Sequence, residues 1–527
     1  MPGYDYIIIG GGSAGSVLAA RLTEDAACRV LMIEAGGRDT NPLFRMPAGF
    51  AKMTSGLAAW GYETVPQVHM RNRVLRYTQA KVLGGGSTIN AQIYIRGNRL
   101  DYDEWRQQGC TGWGFDDVLP YFRRAEGNGR LNDEFHARGG PLSVQDPRAP
   151  LPICEAFFAA AEEQGIPRNP DFNGANQDGV GFYQLTQRDG RRCSVVTAYL
   201  KPARRRPNLT IRTDAFVTRL IIEKGCATGV ELAGPSGVEQ IRADREVILS
   251  ASTIGSPKLL MLSGIGPAAH LKEAGIKPLI DLPGIGANLQ DHLDFFVIAE
   301  CTGDHTYDKY TKLPWSAIAG ARYLLDRRGP VASSLFETGG FWYANENARS
   351  ADIQFHLGLG SGIEAGMAKM QNAGVTLNSA FMRPRSRGTV RLRSNDPAAA
   401  PLIDPNYCAE PFDAASNVKG LRLALDIMQS KALKPFVKSV RLPDPSRTSD
   451  DDLFAYGCQH GKNDFHPVGT CKMGIGEDAV VGPDLRVRGV DRLRVVDVSI
   501  MPTIITGNTN ACAIMIGEKA ADMIRSR

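Results

Sequence analysis

The opening segment YDYIIIGGGSAGSVLAARLTEDAACRVLMIEAGGRD constrains the fold more than any other part of the chain. It reads as an apolar strand, a glycine turn, an amphipathic helix and a second apolar strand, which together form a βαβ unit. Gly10, Gly12 and Gly15 occupy the G-x-G-x-x-G positions, which serve a tight turn, the approach of a pyrophosphate, and helix–strand packing. Glu34 ends the second strand about 20 residues on, where a carboxylate accepts a ribose hydroxyl. The segment predicts a dinucleotide site on a Rossmann-like sheet.

The helix after the glycine turn would aim its N-terminus at the phosphates of that dinucleotide. The predicted cofactor contacts of this segment also include Ser13 and Ala14 at the helix start and Ala35 after Glu34. The glycines do not decide between a flavin and a nicotinamide dinucleotide, because both share the adenosine diphosphate half. Both cofactors remain open from this segment alone.

Composition excludes several classes of protein. A chain of 527 residues, 43% hydrophobic, is too long for one simple core and predicts two lobes. A net charge of +5 without a long basic tract argues against nucleic acid as a partner. The ten cysteines show no C-x-x-C pair and fit a reducing cytosol. The first apolar run leads straight into the glycine turn and no run reaches the ~20 residues of a membrane span. We expect a cytoplasmic protein, with peripheral contact to the inner membrane left open.

Four separated segments resemble the glucose-methanol-choline oxidoreductases, a family of FAD enzymes. They are AKVLGGGSTINAQIYIRGNRLDYD, STIGSPKLLMLSGIG, LPGIGANLQDH and RVVDVSIMPTIITGNTNACAIMIGEKAADMI. The likeness runs from Tyr4 to about Ile524, and within the family it is greatest to bacterial alcohol dehydrogenases and choline dehydrogenases. The resemblance implies an α/β FAD-binding lobe of residues 1–155, 203–294 and 467–527. It also implies an α+β substrate-binding lobe of residues 156–202 and 295–466, built on an antiparallel sheet flanked by helices.

The resemblance also assigns cofactor contacts outside the first segment. Gly84, Gly85, Ser87 and Asn90 would lie beside the flavin. The absence of side chains on the glycines also suits a flat ring. Val217 would rest on the adenine, and Asp497 would face the ribityl chain or the phosphates. Ile89 stands where some relatives carry a histidine bonded covalently to the flavin, so we expect non-covalent FAD.

His466, in NDFHPVGTCKMG, is the candidate catalytic base. Oxidation of an alcohol requires that the hydroxyl proton leave to a base, and a reference pKa of ~6.5 suits imidazole to that task. Pro467 disfavours helical geometry at residue 466 and holds the side chain off a regular helix. The resemblance makes His466 the base of the family.

Asn510 lies just before an apolar helical run, where asparagine is a good N-cap residue. The helix behind it would favour negative charge on the flavin. By resemblance Asn510 is the second member of the catalytic pair and hydrogen-bonds the substrate oxygen, and because asparagine is no base near neutrality the mechanism uses a single base. His356 completes the substrate-binding set, since some relatives point this strand histidine into the pocket. His292 reads as a structural histidine, and no spacing argues for a metal.

The predicted function is FAD-dependent oxidation of an aliphatic or aromatic primary alcohol to its aldehyde, with hydride passing to flavin N5. A quinone-like acceptor or oxygen would reoxidise the flavin, and the likeness favours a dehydrogenase. Choline dehydrogenase and alcohol oxidase are alternatives within the family, and an FAD-containing hydroxynitrile lyase is the alternative of another class. A nicotinamide enzyme and a non-enzymatic binding module are the remaining rivals. Tyr310, Trp315 and Phe336 are candidates for the pocket lining, and the sequence does not indicate an oligomeric state.

Overall fold

The computed structural model describes residues 3–54, 56–234, 237–361, 370 and 373–526. Its longer helices alternate with strands through most of the chain. They are α1 (Ser13–Leu22), α2 (Arg99–Gln107), α3 (Phe115–Ala125), α4 (Pro152–Glu163), α5 (Ser252–Leu262), α6 (Ala268–Glu273), α7 (Trp315–Asp326), α8 (Pro411–Gln429), α9 (Asp450–His460) and α10 (Asn510–Arg525). No helix within the described residues combines the length and the apolar character needed to cross a membrane.

Two large sheets organise the strands. The strands that form them are β1 (Tyr4–Ile9), β2 (Val30–Ile33), β3 (Gly179–Phe182), β4 (Leu209–Arg212), β5 (Phe216–Glu223), β6 (Cys226–Gly234), β7 (Gly237–Leu249), β8 (Leu293–Cys301), β9 (Thr338–Trp342), β10 (Ile353–Gly358), β11 (Gly374–Phe381), β12 (Val437–Leu442), β13 (Lys462–Asn463) and β14 (Leu493–Val495). Several shorter ladders of two strands join the loops between them.

The first sheet is parallel at its centre, in the order β4-β2-β1-β7-β6-β5, with β14 also paired to β7. β1 pairs in parallel with both β2 and β7, while β5, β6 and β7 form an antiparallel meander. The strand segments YDYIII and VLMI are apolar runs without alternation, as expected for parallel strands covered on both faces. α1 packs against α10 so closely that a side chain on Gly517 would lie 2.7 Å from the Ala14 carbonyl oxygen.

The second sheet is antiparallel, in the order β12-β8-β11-β10-β9-β3, with β13 paired to the end of β8. β8, β10 and β11 are buried along their whole length. α8 covers this sheet, and a side chain on Gly420 would lie 2.5 Å from Ser379 Oγ of β11. The predicted fold class, a Rossmann-like α/β lobe joined to an antiparallel sheet with helices, is confirmed.

Each sheet has its own hydrophobic core, and the chain passes between the two cores more than once. Phe50 and Ile93, which the sequence assigns to the first lobe, pack into the core of the second sheet, whereas Val468 returns to the core of the first. The exact lobe boundaries stay a prediction. This interleaving places residues distant in sequence on one shared wall between the sheets.

Candidate active site

One elongated cavity runs between the two sheets, from the turn after β1 to the loop before Pro467. The space that it encloses together with the open solvent at its mouth is about 2070 Å³. Most of the residues predicted to bind cofactor or substrate line it. They are Gly10, Gly12, Ser13, Ala14, Glu34, Ala35, Gly85, Asn90, Val217, His356, His466, Asp497 and Asn510.

The glycine turn is shaped by contacts that leave no room for side chains. Gly10 has a φ of +104°, and a Cβ there would lie 2.3 Å from the Ser250 carbonyl oxygen. A Cβ on Gly15 would lie 2.1 Å from the Gly10 carbonyl oxygen. Gly12 meets only one atom within 4 Å, so its backbone stays open to the cavity. These contacts fit the turn, approach and packing duties that the motif predicts for the three glycines.

The first turn of α1 presents free amide donors to the cavity. Gly12 is the N-cap residue and no side chain caps the helix. Glu34 stands beside this turn, where its carboxylate accepts hydrogen bonds from the Gly11 amide at 2.9 Å and the Gly36 amide at 2.7 Å. Burial raises the pKa of Glu34, although those two hydrogen bonds act to lower it. Uncapped amides at a helix N-terminus and a buried carboxylate are the donor and acceptor set that a pyrophosphate and a ribose require.

The LGGGSTIN segment contributes less to the cavity surface than the sequence predicts. Gly84 and Ser87 lie behind the wall, and Ser87 Oγ is used internally, donating to the Gly84 carbonyl at 2.7 Å and accepting from the Val195 amide at 3.1 Å. Asn90 lines the cavity, but its Oδ1 accepts from Arg192 at 2.8 Å. Ser87 thus acts as a brace for the turn rather than as an exposed ligand.

His466 owes its position to a short antiparallel pairing between two distant segments. Gln290 and Val468 exchange backbone hydrogen bonds of 3.1 and 2.9 Å, and this register sets His292 directly opposite His466. The two rings meet edge to face, with 3.0 Å between their Nδ1 atoms. The Asp291 carboxylate accepts the His466 backbone amide at 2.8 Å. Phe465, just before His466, holds a φ of +59°, an unfavourable conformation that tertiary packing must maintain.

The partner of His466 is Asn508, not the predicted Asn510. Asn508 Nδ2 lies 3.2 Å from His466 Nε2, and its Oδ1 accepts a hydrogen bond from Gln354 at 3.0 Å. Asn510 is turned toward the glycine turn, where its Oδ1 accepts from Ser13 Oγ at 2.7 Å. The cause is helical geometry, because α10 begins at Asn510 and residue 508 stays in the preceding loop. The predicted pairing of Asn510 with His466 is therefore corrected.

Three buried imidazoles lie near enough to one another to interact electrostatically, and two of them, His356 and His466, line the cavity. Burial lowers the pKa of His292 to about 3 and that of His356 to about 4. Burial also lowers the pKa of His466 well below its usual value, and the neighbouring His292, His356 and Lys462 add to the effect. His356 stands on β10 with its Nε2 buried and without a hydrogen-bond partner among the described residues. All three histidines are therefore neutral at neutral pH, as a general base must be.

Asp497 closes the wall beneath α5. Its carboxylate accepts from the Ser252 amide at 2.9 Å, from Ser256 Oγ at 2.6 Å and from the Ser499 amide at 2.8 Å. Burial raises its pKa against these bonds. Of the three aromatic residues suggested for the pocket, Phe336 lines the cavity, whereas Tyr310 and Trp315 do not. Trp315 is 45% exposed on α7, which corrects that prediction.

The residues present fit a flavin dinucleotide. The cavity is continuous from the uncapped N-terminus of α1 to the N-terminus of α10, which is also uncapped. A Cβ on Gly85 would lie 2.7 Å from the Gly12 Cα, so this position of the cavity wall, beside the glycine turn, admits only glycine. The first helix suits the pyrophosphate, and the second suits the electron-rich pyrimidine edge of a reduced flavin.

Sequence reasoning missed three functional neighbours of the predicted residues. The sequence does not predict the contact of Asn508 with His466, because Asn508 and Asn510 lie in one N-x-N stretch. Which of the two faces His466 depends on the residue at which α10 begins. The sequence predicts a structural role for His292, because its partner lies 174 residues away and no local pattern links the two. Arg192, whose Nη1 holds Asn90, lies in an unremarkable RRC stretch. A scan for backbone pairing between LQDH and HPVG could have found the histidine pair.

Comparisons with known proteins agree with this geometry. Two family models described as GMC oxidoreductase match residues 4–294 and 384–517. The chain is 42% identical over 525 residues to an oxygen-dependent choline dehydrogenase of Sinorhizobium fredii, covering 99% of this chain and 95% of that protein. It is 40% identical over 526 residues to an alcohol dehydrogenase (acceptor) of Pseudomonas putida, with the same coverage. Among solved structures, pyridoxine 4-oxidase from Mesorbium loti has a TM-score of 0.91 at 32% identity, covering 99% of both chains.

Proposed function

The chain belongs to the GMC oxidoreductase family and is an FAD-dependent enzyme that oxidises alcohols, and from this premise we propose that it converts a primary alcohol to its aldehyde at His466. The observation that carries the proposal is the contact of 3.2 Å between Asn508 Nδ2 and His466 Nε2 on one cavity wall. A lone pair on one ring nitrogen and an amide donor beside it form a cradle for a hydroxyl group. The rest of the chemistry follows from these two groups.

FAD, held by cavity residues that include Gly10, Gly12 and Glu34, would supply an acceptor for the hydride of the substrate carbon at its N5 position. His466 Nε2 accepts the hydroxyl proton, so that negative charge rather than a protonated carbonyl develops on the oxygen. Asn508 Nδ2 stabilises that charge and holds the oxygen in line, because an amide N–H can donate but cannot take up a proton near neutrality. The uncapped start of α10 adds a positive potential along the same wall.

Part of the pocket wall is apolar and aromatic. Phe50 and Phe336 contact each other at 5.8 Å between centroids, and both line the cavity. Phe336 also packs edge to face on His356. An apolar wall of this kind excludes water and takes an aliphatic or aromatic alcohol chain. The unpartnered Nε2 of His356 offers one further polar contact to the substrate.

Choline is the second candidate substrate, favoured by the relatives named choline dehydrogenase. Asp464 lines the cavity together with Phe336 and Phe465, and a carboxylate among rings is the chemistry that binds a quaternary ammonium. The matched comparison is choline against 3,3-dimethylbutan-1-ol, which has the same shape without the charge. A kcat/KM at least about tenfold higher for choline supports cation recognition, and a preference for the neutral alcohol supports the apolar pocket.

We assign the enzyme to the dehydrogenases, with a quinone-like molecule as the natural electron acceptor and oxygen as the alternative. A panel of primary alcohols read with an artificial electron dye, in air and without oxygen, tests substrate and acceptor together. Turnover that needs the dye and ignores oxygen supports the dehydrogenase. Turnover in air without dye, with release of hydrogen peroxide, supports the oxidase. Loss of a hydroxynitrile without net oxidation would instead support the lyase.

Non-covalent FAD is part of the same proposal. Ile89 lines the cavity at the position where some relatives carry the bonded histidine, and an aliphatic side chain cannot form that bond. Acid precipitation should leave the yellow colour in the supernatant. A yellow pellet would contradict the proposal. All ten cysteines are free, which supports placing the enzyme in a reducing cytoplasm.

A further inference from the structure

The contact between His292 and His466 also determines which ring nitrogen of His466 carries the hydrogen. We propose that His292 is a positioning residue that fixes the tautomer of His466, so that the lone pair of the base always lies on Nε2. This inference deepens the proposed function and rests on it. It is carried by a chain of hydrogen bonds whose direction is dictated at one end by a backbone carbonyl.

The chain starts at Met382. The carbonyl oxygen of Met382 lies 3.2 Å from His292 Nε2, and a carbonyl can only accept a hydrogen bond. His292 must therefore carry its hydrogen on Nε2. Because the ring is fully buried and neutral, it holds one hydrogen only, so its Nδ1 is an acceptor.

The next link is His466. His292 Nδ1 lies 3.0 Å from His466 Nδ1, and since the first atom is an acceptor the second must donate. Neutral His466 then has its hydrogen on Nδ1 and its lone pair on Nε2. Asn508 consequently turns its Nδ2 amide toward Nε2 and its Oδ1 toward Gln354, in agreement with the observed distances of 3.2 and 3.0 Å.

The charged neighbours of His466 favour the same tautomer. An Asp464 carboxylate oxygen lies 3.4 Å from His466 Nδ1, where it attracts the hydrogen on that atom. The opposite tautomer would set bare nitrogens against the Met382 carbonyl and the Asp464 carboxylate, which costs free energy at both places. Lys462 and His356 act on the ring electrostatically, and Asp291 holds the backbone amide. His292 is thus the closest group to Nδ1 and the one tied to a fixed backbone acceptor.

The test compares His292→Leu with His292→Asn in the FAD-loaded enzyme. Asparagine keeps an oxygen near the place of Nδ1 and can still accept from His466, whereas leucine removes the acceptor. The measured quantity is the limiting rate constant of flavin reduction by alcohol without oxygen, together with FAD content and the apparent Kd of the alcohol. We expect the leucine variant to lose about 10- to 100-fold in the rate constant, with FAD content and Kd little changed. The asparagine variant should recover most of that loss.

The outcomes separate this inference from the proposed function. If the wild type is not reduced by any alcohol, the proposed function fails. If the wild type is reduced and the leucine variant matches it, the tautomer inference alone fails. Equal losses in both variants, accompanied by lower FAD content, would show a packing role and would also overturn the inference.

A second inference comes from a different part of the molecule. α7 has an inverted amphipathic pattern, because its side toward solvent is apolar. Ile318, Leu324 and Leu325 are 51%, 67% and 87% exposed, while Ala319 and Tyr323 on the opposite side are buried. Leu313, just before the helix, is 81% exposed. Exposed large apolar groups on one helix face are unusual and mark an interaction surface.

Basic side chains predominate around this face, where Arg322 also pairs with Asp326 of the same helix at 3.8 Å. Lys312 and Arg322 are exposed beside it, and Arg327 and Arg328 follow the helix. Arg191, from a neighbouring turn, lies close enough to act on Tyr323 electrostatically. An apolar helix face with a basic rim is complementary to an anionic lipid surface. We infer that α7 docks the enzyme on the headgroup region of a bilayer containing acidic lipids.

Co-sedimentation with vesicles tests this surface. The wild type should pellet with phosphatidylcholine–phosphatidylglycerol vesicles, and less in high salt or with phosphatidylcholine alone. Leu324→Ser/Leu325→Ser should weaken binding about tenfold or more, while Val68→Ser, at a site 71% exposed elsewhere, should not. Equal binding by all three proteins would overturn the inference. So would ultracentrifugation showing a wild-type dimer that the double variant dissociates, since a second copy would then cover α7.

Discussion

Truncating Asn508 and Asn510 separately distinguishes the structural assignment of the active site from the one suggested by sequence. Asn508 donates toward His466 Nε2 at 3.2 Å and, in the proposed mechanism, stabilises the substrate oxygen. Removing one donor that stabilises a developing oxyanion costs ~10²- to 10³-fold in rate, about 3–4 kcal/mol. Asn508→Ala also leaves the Gln354 amide without its acceptor at 3.0 Å. We expect Asn508→Ala to lower the rate constant of flavin reduction by at least about 10²-fold.

Asn510→Ala is the matched control, since it removes the same amide group two residues away. The lost interaction is a single hydrogen bond of 2.7 Å from Ser13 Oγ, worth ~0.5–1.5 kcal/mol. That bond joins α10 to the glycine turn, so its loss should appear first as weaker FAD retention, with the reduction rate changed less than about tenfold. Anaerobic stopped-flow mixing of each FAD-loaded variant with alcohol measures both rate constants. A larger loss in Asn510→Ala than in Asn508→Ala would refute the reasoning.

Two further predictions concern the cofactor passage and the buried histidines. Gly85→Ala should abolish FAD binding, because its Cβ would lie 2.7 Å from Gly12 Cα and the residue has a φ of +53°. Gly86→Ala is the control, because a Cβ there would meet no atom within 4 Å. The FAD content of the two purified variants is the measurement, and equal content would contradict the prediction. His292, His356 and His466 have pKa values lowered by burial, so the unfolded chain binds protons that the folded chain does not, and stability should fall as pH drops below ~6.5 toward about 4. Each such histidine makes the free energy of unfolding fall by about 1.4 kcal/mol per pH unit in this range. His292→Asn should therefore reduce the fall in the free energy of urea unfolding between pH 6 and 5 by about that amount. An unchanged dependence on pH would contradict the buried neutral state of His292.

The cofactor half of the protein was predictable because its signals are local. Gly10, Gly12, Gly15 and Glu34 lie within one βαβ unit, and steric contacts between near neighbours in sequence explain each of them. His466 could also be predicted from the sequence, since the proline after it restricts the backbone and imidazole is the ordinary base for this chemistry. The family resemblance supplied the antiparallel sheet of the second lobe.

The remainder depended on tertiary structure. Whether Asn508 or Asn510 faces the base is decided by the residue at which α10 begins, and caps are local features that shift by one or two positions. The role of His292 requires the register between Gln290 and Val468, which no local pattern encodes. Ser87 was expected at the flavin, yet its hydroxyl satisfies Gly84 and Val195 instead. The residue types of the site and their chemistry could therefore be predicted from the sequence, whereas the contacts between particular atoms depend on long-range packing.

The most direct test of the central claim is flavin reduction in the wild type and in His466→Ala. The account predicts that the purified protein is yellow and that a primary alcohol bleaches it in the absence of oxygen. His466→Ala should keep its FAD and bleach about 10²- to 10⁴-fold more slowly, because the proton then lacks its acceptor. A colourless protein that takes up no FAD, or a variant that bleaches as fast as the wild type, would contradict it.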